Sequence, residues 1–231
     1  MIGIILLTFA RLAYARRTLE AVAQNLQASE PFWLHIADDG SPQEYRDELW
    51  NLGHKLYGEN VSMTNSERGG YGANYNLATQ TLHFICDLVL PLEDDWELLR
   101  PLDLDPIARV LREGYYGCVR MGYIGFTQQL NGHFDSHAGY HWLALEPDSP
   151  EPHVFAGGPR LESVAWQRRV GPWPEGLPAG ETEFHVAHIP EARQGVAWPV
   201  DLIFPRGDAF VHIGTEQADN SALRTPQEVA A

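Results

Sequence analysis

The sequence predicts an α/β fold built on a mostly parallel central sheet, and three observations carry that expectation. Short apolar runs alternate with stretches of helical periodicity through residues 1–97. Charged and glycine-rich segments fall where the apolar runs stop. The length, 231 residues, suits one large domain with a short appendage.

Ile2 to Thr8 is apolar and β-branched, as befits a strand buried on both faces. From Tyr14 to Leu26 apolar residues recur at helical spacing, at Leu19, Val22, Ala23 and Leu26. Phe32 to Ala37 reads as a second strand, stopped by Asp38-Asp39-Gly40-Ser41-Pro42. A helix from Gln43 to Lys55 and a short strand from Val61 to Thr64 follow. Gly69, Gly70 and Gly72 open a helix running to Phe84, and Asp87 to Leu92 is a fourth strand ending in Glu93-Asp94-Asp95. In such parallel sheets ligands bind beyond the carboxyl ends of the strands, and Thr8, Asp39, the glycine-rich loop and the acidic trio all fall there. The later part is less regular. Helices are expected at Asp103–Glu113, Leu161–Arg169 and Glu181–Ala192, strands at Gly117–Tyr123 and Ala209–Ile213, and a loop then hairpin over Asn131–Leu145. Gly171 to Gly180 is a Pro/Gly-rich loop, and the tail from 216 to 231 is polar and expected to fray.

Charge narrows the function. The net charge of −15, from 31 acidic and 16 basic residues, repels phosphate backbones and anionic membranes. Nucleic acid is therefore an unfavoured partner, although a modified nucleobase stays open as an acceptor. The two cysteines, Cys86 and Cys118, form no C-x-x-C pair and read as free thiols in a reducing compartment. The apolar start lacks a basic segment before it and reads as a buried strand rather than a signal. No run approaches the roughly 20 apolar residues of a membrane span, so a cytoplasmic protein is expected.

Three segments carry chemistry. Adjacent carboxylates at Glu93, Asp94 and Asp95 repel unless a cation neutralises them, and hard divalent ions take one or two carboxylates plus substrate phosphates. The plain alternative is a solvated acidic turn. Asp39 can accept from a base N–H, or can simply cap the next helix. In Asn65 to Asn76 the glycines let backbone approach a ligand, a helix N-terminus attracts phosphate, and Arg68 suits a base, ribose or diphosphate; the alternative is a tight turn. The spacing fits neither a Walker loop nor a dinucleotide fingerprint. His133, His137 and His141 recur at four-residue intervals, a zinc-like spacing if helical, but flanking glycines favour a loop. Trp96, Trp142, Trp166 and Trp173 suit either a sugar cleft or a core, with Trp173 the one favoured for a cleft.

As a set, these segments resemble the GT-A glycosyltransferases, especially family 2. Thr8-Phe9-Ala10-Arg11 is similar to that family's first-strand end, Asp38 to Ser41 to its Asp-Asp-Gly-Ser motif, Arg68 to Asn76 to its Asn-containing glycine segment, and Glu93-Asp94-Asp95 to its metal motif. Phe155 to Arg160 resembles the turn before the acceptor-side helix, and Val170 to Gly176 a Gly-aromatic-acidic loop. Gly180 to Phe184 resembles the catalytic stretch, where Thr182 replaces a frequent Asp.

The resemblance implies a single GT-A-type domain. Residues 1–97 would bind a nucleoside diphosphate sugar, and 98–215 would bind the acceptor and hold the base. It implies donor contacts from Thr8, Phe9, Arg11, Asp39, Arg68, Gly70, Asn76, Glu93 and Asp94, and acceptor contacts from Gly158, Arg160 and Trp173. Asp95 and His212 would hold Mn²⁺ or Mg²⁺, and Glu181 or Glu183 would be the base, Glu181 favoured at the mouth of its loop. The implied reaction is inverting sugar transfer to a hydroxyl or amine. One rival is a non-catalytic nucleotide- or glycan-binding protein. The other, a sugar-1-phosphate nucleotidyltransferase, ranks lower because no glycine follows the first strand.

Overall fold

The structure is a computed structural model that describes residues 1–122, 131–150, 157–203 and 209–214. It begins with β1 (Ile2–Thr8), α1 (Leu12–Asn25), the short β2 (Leu26–Gln27), β3 (Phe32–Asp38), α2 (Gln43–Tyr57), β4 (Val61–Asn65), α3 (Tyr71–Leu82) and β5 (Leu88–Glu93). Then come β6 (Trp96–Leu98), β7 (Leu102–Asp103), α4 (Asp105–Arg112) and β8 (Cys118–Arg120). A hairpin of β9 (Gly132–His137) and β10 (Tyr140–Leu145) follows. The described chain closes with β11 (Arg160–Ser163), α5 (Val164–Val170), α6 (Ala179–Ala187), β12 (Val196–Pro199), α7 (Val200–Ile203) and β13 (Phe210–His212).

The described strands make a nine-stranded sheet in the order β4-β3-β1-β5-β11-β8-β12-β10-β9. Its first four strands run parallel. Beyond β5 the sheet is mixed: β11 joins β5 and β8 antiparallel, β12 joins β8 parallel, and the hairpin completes the edge antiparallel. β1 lies inside the sheet, so its side chains feed two cores by strand alternation. Ile2, Ile4 and Leu6 face one cluster with Leu19 and Val22 of α1, Leu49 of α2 and Ile107 of α4. Ile5 and Leu7 face the other, with Ala78 and Leu82 of α3, Trp166 of α5 and Val186 of α6. Helices on both faces thus cover a sheet apolar on both sides, the arrangement the continuous apolar run of β1 requires.

Several expected elements differ. Leu161 to Arg169 is not one helix. Arg160 to Glu162 pair with β8 as strand, and Ser163 then caps α5, its Oγ accepting from Trp166 N at 3.2 Å. The helix expected to reach Ala192 stops at Ala187, three residues before Pro190. β6 and β12 had no sequence expectation; each is three or four residues long, too short to show a period. Tyr123, expected at the end of β8, lies outside the described residues, as do Phe155, Ala156 and the tail from 216. No described helix is long and apolar enough to cross a membrane.

Candidate functional site

The site lies where β1, β3 and β5 end. Ala10 takes φ +52°, a left-handed conformation costing an L-residue about 1 kcal/mol. Its N–H donates to Ser41 Oγ at 2.9 Å, which holds the turn after β1 against the turn after β3. Arg11 is thereby aimed at the acidic trio: Nη1 donates to Asp95 Oδ2 at 2.7 Å, and Nη2 donates to Asp94 Oδ1.

The three carboxylates differ sharply. Asp94 is wholly buried, accepting from Thr8 Oγ1 at 2.8 Å as well as from Arg11. Burial pushes it up to about 6 although Arg11 opposes the shift. Thr8 also bonds the Tyr45 hydroxyl, so Thr8 braces Asp94 from below. Asp95 is buried, and its Oδ1 has no hydrogen-bond partner among the described residues. β13 pairs with β6, the strand that directly follows the trio, and Ile213 N donates to Asp95 O at 2.8 Å. That pairing brings His212 Nε2 to 3.4 Å from Asp95 Oδ2.

Glu93 turns the other way. A methyl group on Gly157 would stand 1.9 Å from Glu93 Oε1 and 2.7 Å from Glu183 Oε1, so both carboxyl groups converge on one bare Cα. Burial, then Glu183, then Asp95 lift Glu93 far above the ordinary carboxyl range. Burial also lifts Glu183, but the Gly157 N–H, Arg160 and Arg120 pull it back. Two carboxyl groups this close disfavour each other's charged form.

The two α6 glutamates are placed differently. Glu181 is exposed, while Glu183 is half-buried and faces Glu93. Residues two apart on a helix point in different directions. Thr182 and Val186, one turn apart, anchor α6 in the interior, Thr182 Oγ1 reaching Leu177 O at 3.5 Å, and that packing rotates Glu183 inward.

A second corner lies beyond β3 and β4. The Arg68 guanidinium stacks 3.5 Å over the Phe9 ring. Asp39 neither caps α2 nor stands free. It accepts from Gly69 N at 2.7 Å and from Gly70 N, stapling the glycine-rich loop to the end of β3. Asp38 makes the turn into α2 instead, accepting from Gly40 N and Ser41 N. Gly70 precedes α3 at φ +83°, which suits glycine.

Three expected contacts take structural places. Asn76 spends its amide on the loop after α5, receiving Trp173 N at 2.8 Å and donating to Trp173 O and Glu175. Trp173 is buried and stacked on Tyr75 at 4.0 Å. Arg160 is buried too, paired with Glu162, which also accepts from Tyr75 and Gln167. Gly158 O accepts from Arg160 Nη1 at 3.3 Å. These places follow from burial, which residue type alone does not reveal. The remaining tryptophans, Trp96, Trp142 and Trp166, are core residues. His133, His137 and His141 lie on the β9–β10 hairpin and pair with three separate carboxylates, Glu146, Asp135 and Asp201. Arg120, directly opposite Arg160 in the sheet, had drawn no attention in the sequence; it gives no local signal, since only the strand register brings it to the site.

The fold is that of the GT-A glycosyltransferases. S. aureus TarS 1-349 in complex with UDP-GlcNAc matches at TM-score 0.63 and 14% identity, covering 94% of this chain and 61% of that one. GalNAc-T7 with UDP, GalNAc and Mn²⁺ matches at 0.62 and 15%, covering 86% and 42%. The mannosyltransferase PcManGT from Pyrobaculum calidifontis, in complex with GDP-Man and Mn²⁺, matches at 0.56 and 12%, covering 85% and 56%. This chain thus spans between about two fifths and three fifths of the length of those proteins. No protein-family model and no curated protein sequence matches it.

Among the described residues no cluster of three metal-ligating side chains occurs. Two donors nevertheless fit a divalent cation: the buried, unpartnered Asp95 Oδ1 and the neighbouring His212 imidazole. A cation that keeps several sites for substrate phosphates needs no more than one or two protein ligands.

Proposed function

We propose that this protein transfers a sugar from a nucleoside diphosphate donor to an acceptor hydroxyl or amine, with inversion, with the help of Mn²⁺ or Mg²⁺. The observation that carries the reading is the pairing of two differently tuned acidic centres at one edge of the parallel strands. Asp95 and His212 present a cation-binding face, and Glu183 and Glu93 present two half-buried carboxyl groups converging on Gly157. The solved structures of similar fold, bound to UDP, UDP-GlcNAc or GDP-Man, support this choice of donor.

In this reading residues 1–97 bind the donor and 98–215 the acceptor. Phe9 and Arg68 flank the nucleoside, and Asp39 shapes the loop that receives it. Asp95 and His212 would hold the cation, which neutralises charge developing on the leaving diphosphate. Glu183 accepts the acceptor proton as the new glycosidic bond forms. Arg160 and Arg120 favour its charged form against the effect of burial.

Incubating the protein with a panel of UDP-, GDP- and dTDP-sugars, with Mn²⁺ or with EDTA, tests the proposal. Release of free nucleoside diphosphate from at least one donor, only with metal and accelerated by acceptor alcohols or amines, is expected. Tight donor binding without release under any condition would favour the non-catalytic alternative.

A further inference from the structure

We infer that Arg11 is a built-in counter-cation for the acidic pair, and that it must surrender Asp95 when a divalent metal binds. The inference rests on the reading of Asp95 and His212 as the cation-binding face. It goes beyond that reading by assigning Arg11 to the metal equilibrium instead of to donor contact alone.

The geometry is specific. One guanidinium spans two adjacent carboxylates, Nη1 on Asp95 Oδ2 at 2.7 Å and Nη2 on Asp94 Oδ1. The two arms are unequal. Asp94 is fully enclosed, and its second oxygen is taken by Thr8, so it cannot turn outward. Asp95 Oδ1 is unpartnered, and its Oδ2 is shared between Arg11 and His212. A cation approaching Asp95 and His212 meets the fixed positive charge of Arg11 on the same carboxylate. Like charges that close together in a partly buried site repel. The guanidinium side chain is 30% exposed, so it has an outward path that Asp94 and Asp95 lack.

Arg11 therefore has two consequences. Without metal it offsets the cost of burying two adjacent carboxylates, since an unpaired buried charge is far costlier than a paired one. With metal it is displaced from Asp95 toward solvent, where a diphosphate would give it new acceptors. Metal alone should bind weakly, because it must evict a residue that already satisfies its ligand.

Calorimetric titration of Mn²⁺ alone, into wild type and Arg11→Gln without nucleotide, tests this. Arg11→Gln should bind Mn²⁺ on the order of tenfold more tightly, because a competing charge is gone, and should melt at a lower temperature in EDTA. Should the variant fail to fold, wild type alone decides. Adding Mg²⁺ should speed modification of Arg11 by phenylglyoxal, read by peptide mass spectrometry, as the side chain leaves Asp95. Unchanged or weaker Mn²⁺ binding in Arg11→Gln, or an unchanged labelling rate at saturating Mg²⁺, would overturn the assignment while leaving the cation site in place. No Mn²⁺ binding by either protein, with or without UDP or GDP, would remove the site and the displacement together.

Discussion

Glu183→Gln is expected to lower turnover by about 10²–10⁴-fold, the span that one positioned general base supplies, while donor and metal affinity stay near wild type. Glutamine keeps the shape and the oxygen that receives the Gly157 N–H but cannot take a proton. Glu181→Gln should change little, because that side chain is exposed on the other side of α6. The pH profile gives a second readout. A base must be ionised, and burial raises the Glu183 carboxyl above its usual range. Turnover should therefore climb with pH through an acid limb displaced upward from an ordinary glutamate. Because the Glu93 and Glu183 carboxyls converge on Gly157, the limb belongs to the pair. A dead Glu181 variant beside a normal Glu183 variant would restore Glu181 as the base. Near-normal turnover in both would remove α6 from the chemistry.

Gly157→Ala should be nearly as damaging without touching a charged group. The new methyl would lie 1.9 Å from Glu93 Oε1 and 2.7 Å from Glu183 Oε1, well inside contact distance, so at least one carboxyl must shift. Overpacking of this kind typically costs about 1–3 kcal/mol of stability, a drop that thermal denaturation would read. Misplacing a reacting group by about 1 Å costs on the order of 10²-fold in rate. Nucleoside binding should survive, because Phe9, Arg68 and Asp39 sit at the other corner. Wild-type turnover in Gly157→Ala would show that the Glu93–Glu183 pair is not the reacting centre.

The parallel half of the fold was legible because its strands are short, largely apolar or β-branched runs ended by turns, and β1, β3, β4 and β5 begin within a residue of where those runs begin. The acidic trio could be placed at a strand end on the same ground. What each of its members faces could not be read. Glu93, Asp94 and Asp95 are consecutive, yet one joins Glu183, one is sealed against Thr8, and one meets His212. Those partners are decided by pairing across long sequence separations. β13 beside β6 brings in His212, and the packing of α6 brings in Glu183. Residue type alone did not show what Trp173 and Asn76 pack against. A tryptophan and an asparagine in glycine-rich segments suit a ligand cleft, but these two hold each other in the interior. Arg160 went the same way, since its strand register with β8 buries it against Glu162.

The central claim is that the edge formed by Asp95 and His212 binds a nucleoside diphosphate through a divalent cation. Calorimetry of UDP and of GDP, each with and without Mn²⁺, on wild type and Asp95→Asn addresses it most directly. Asp95→Asn removes the charge of the carboxylate whose Oδ1 lies buried and unpartnered beside His212. One of the two nucleotides should bind wild type appreciably only with Mn²⁺, and that metal-dependent gain should vanish in the variant. Equal nucleotide affinity in both proteins, with Mn²⁺ still required, would contradict the account.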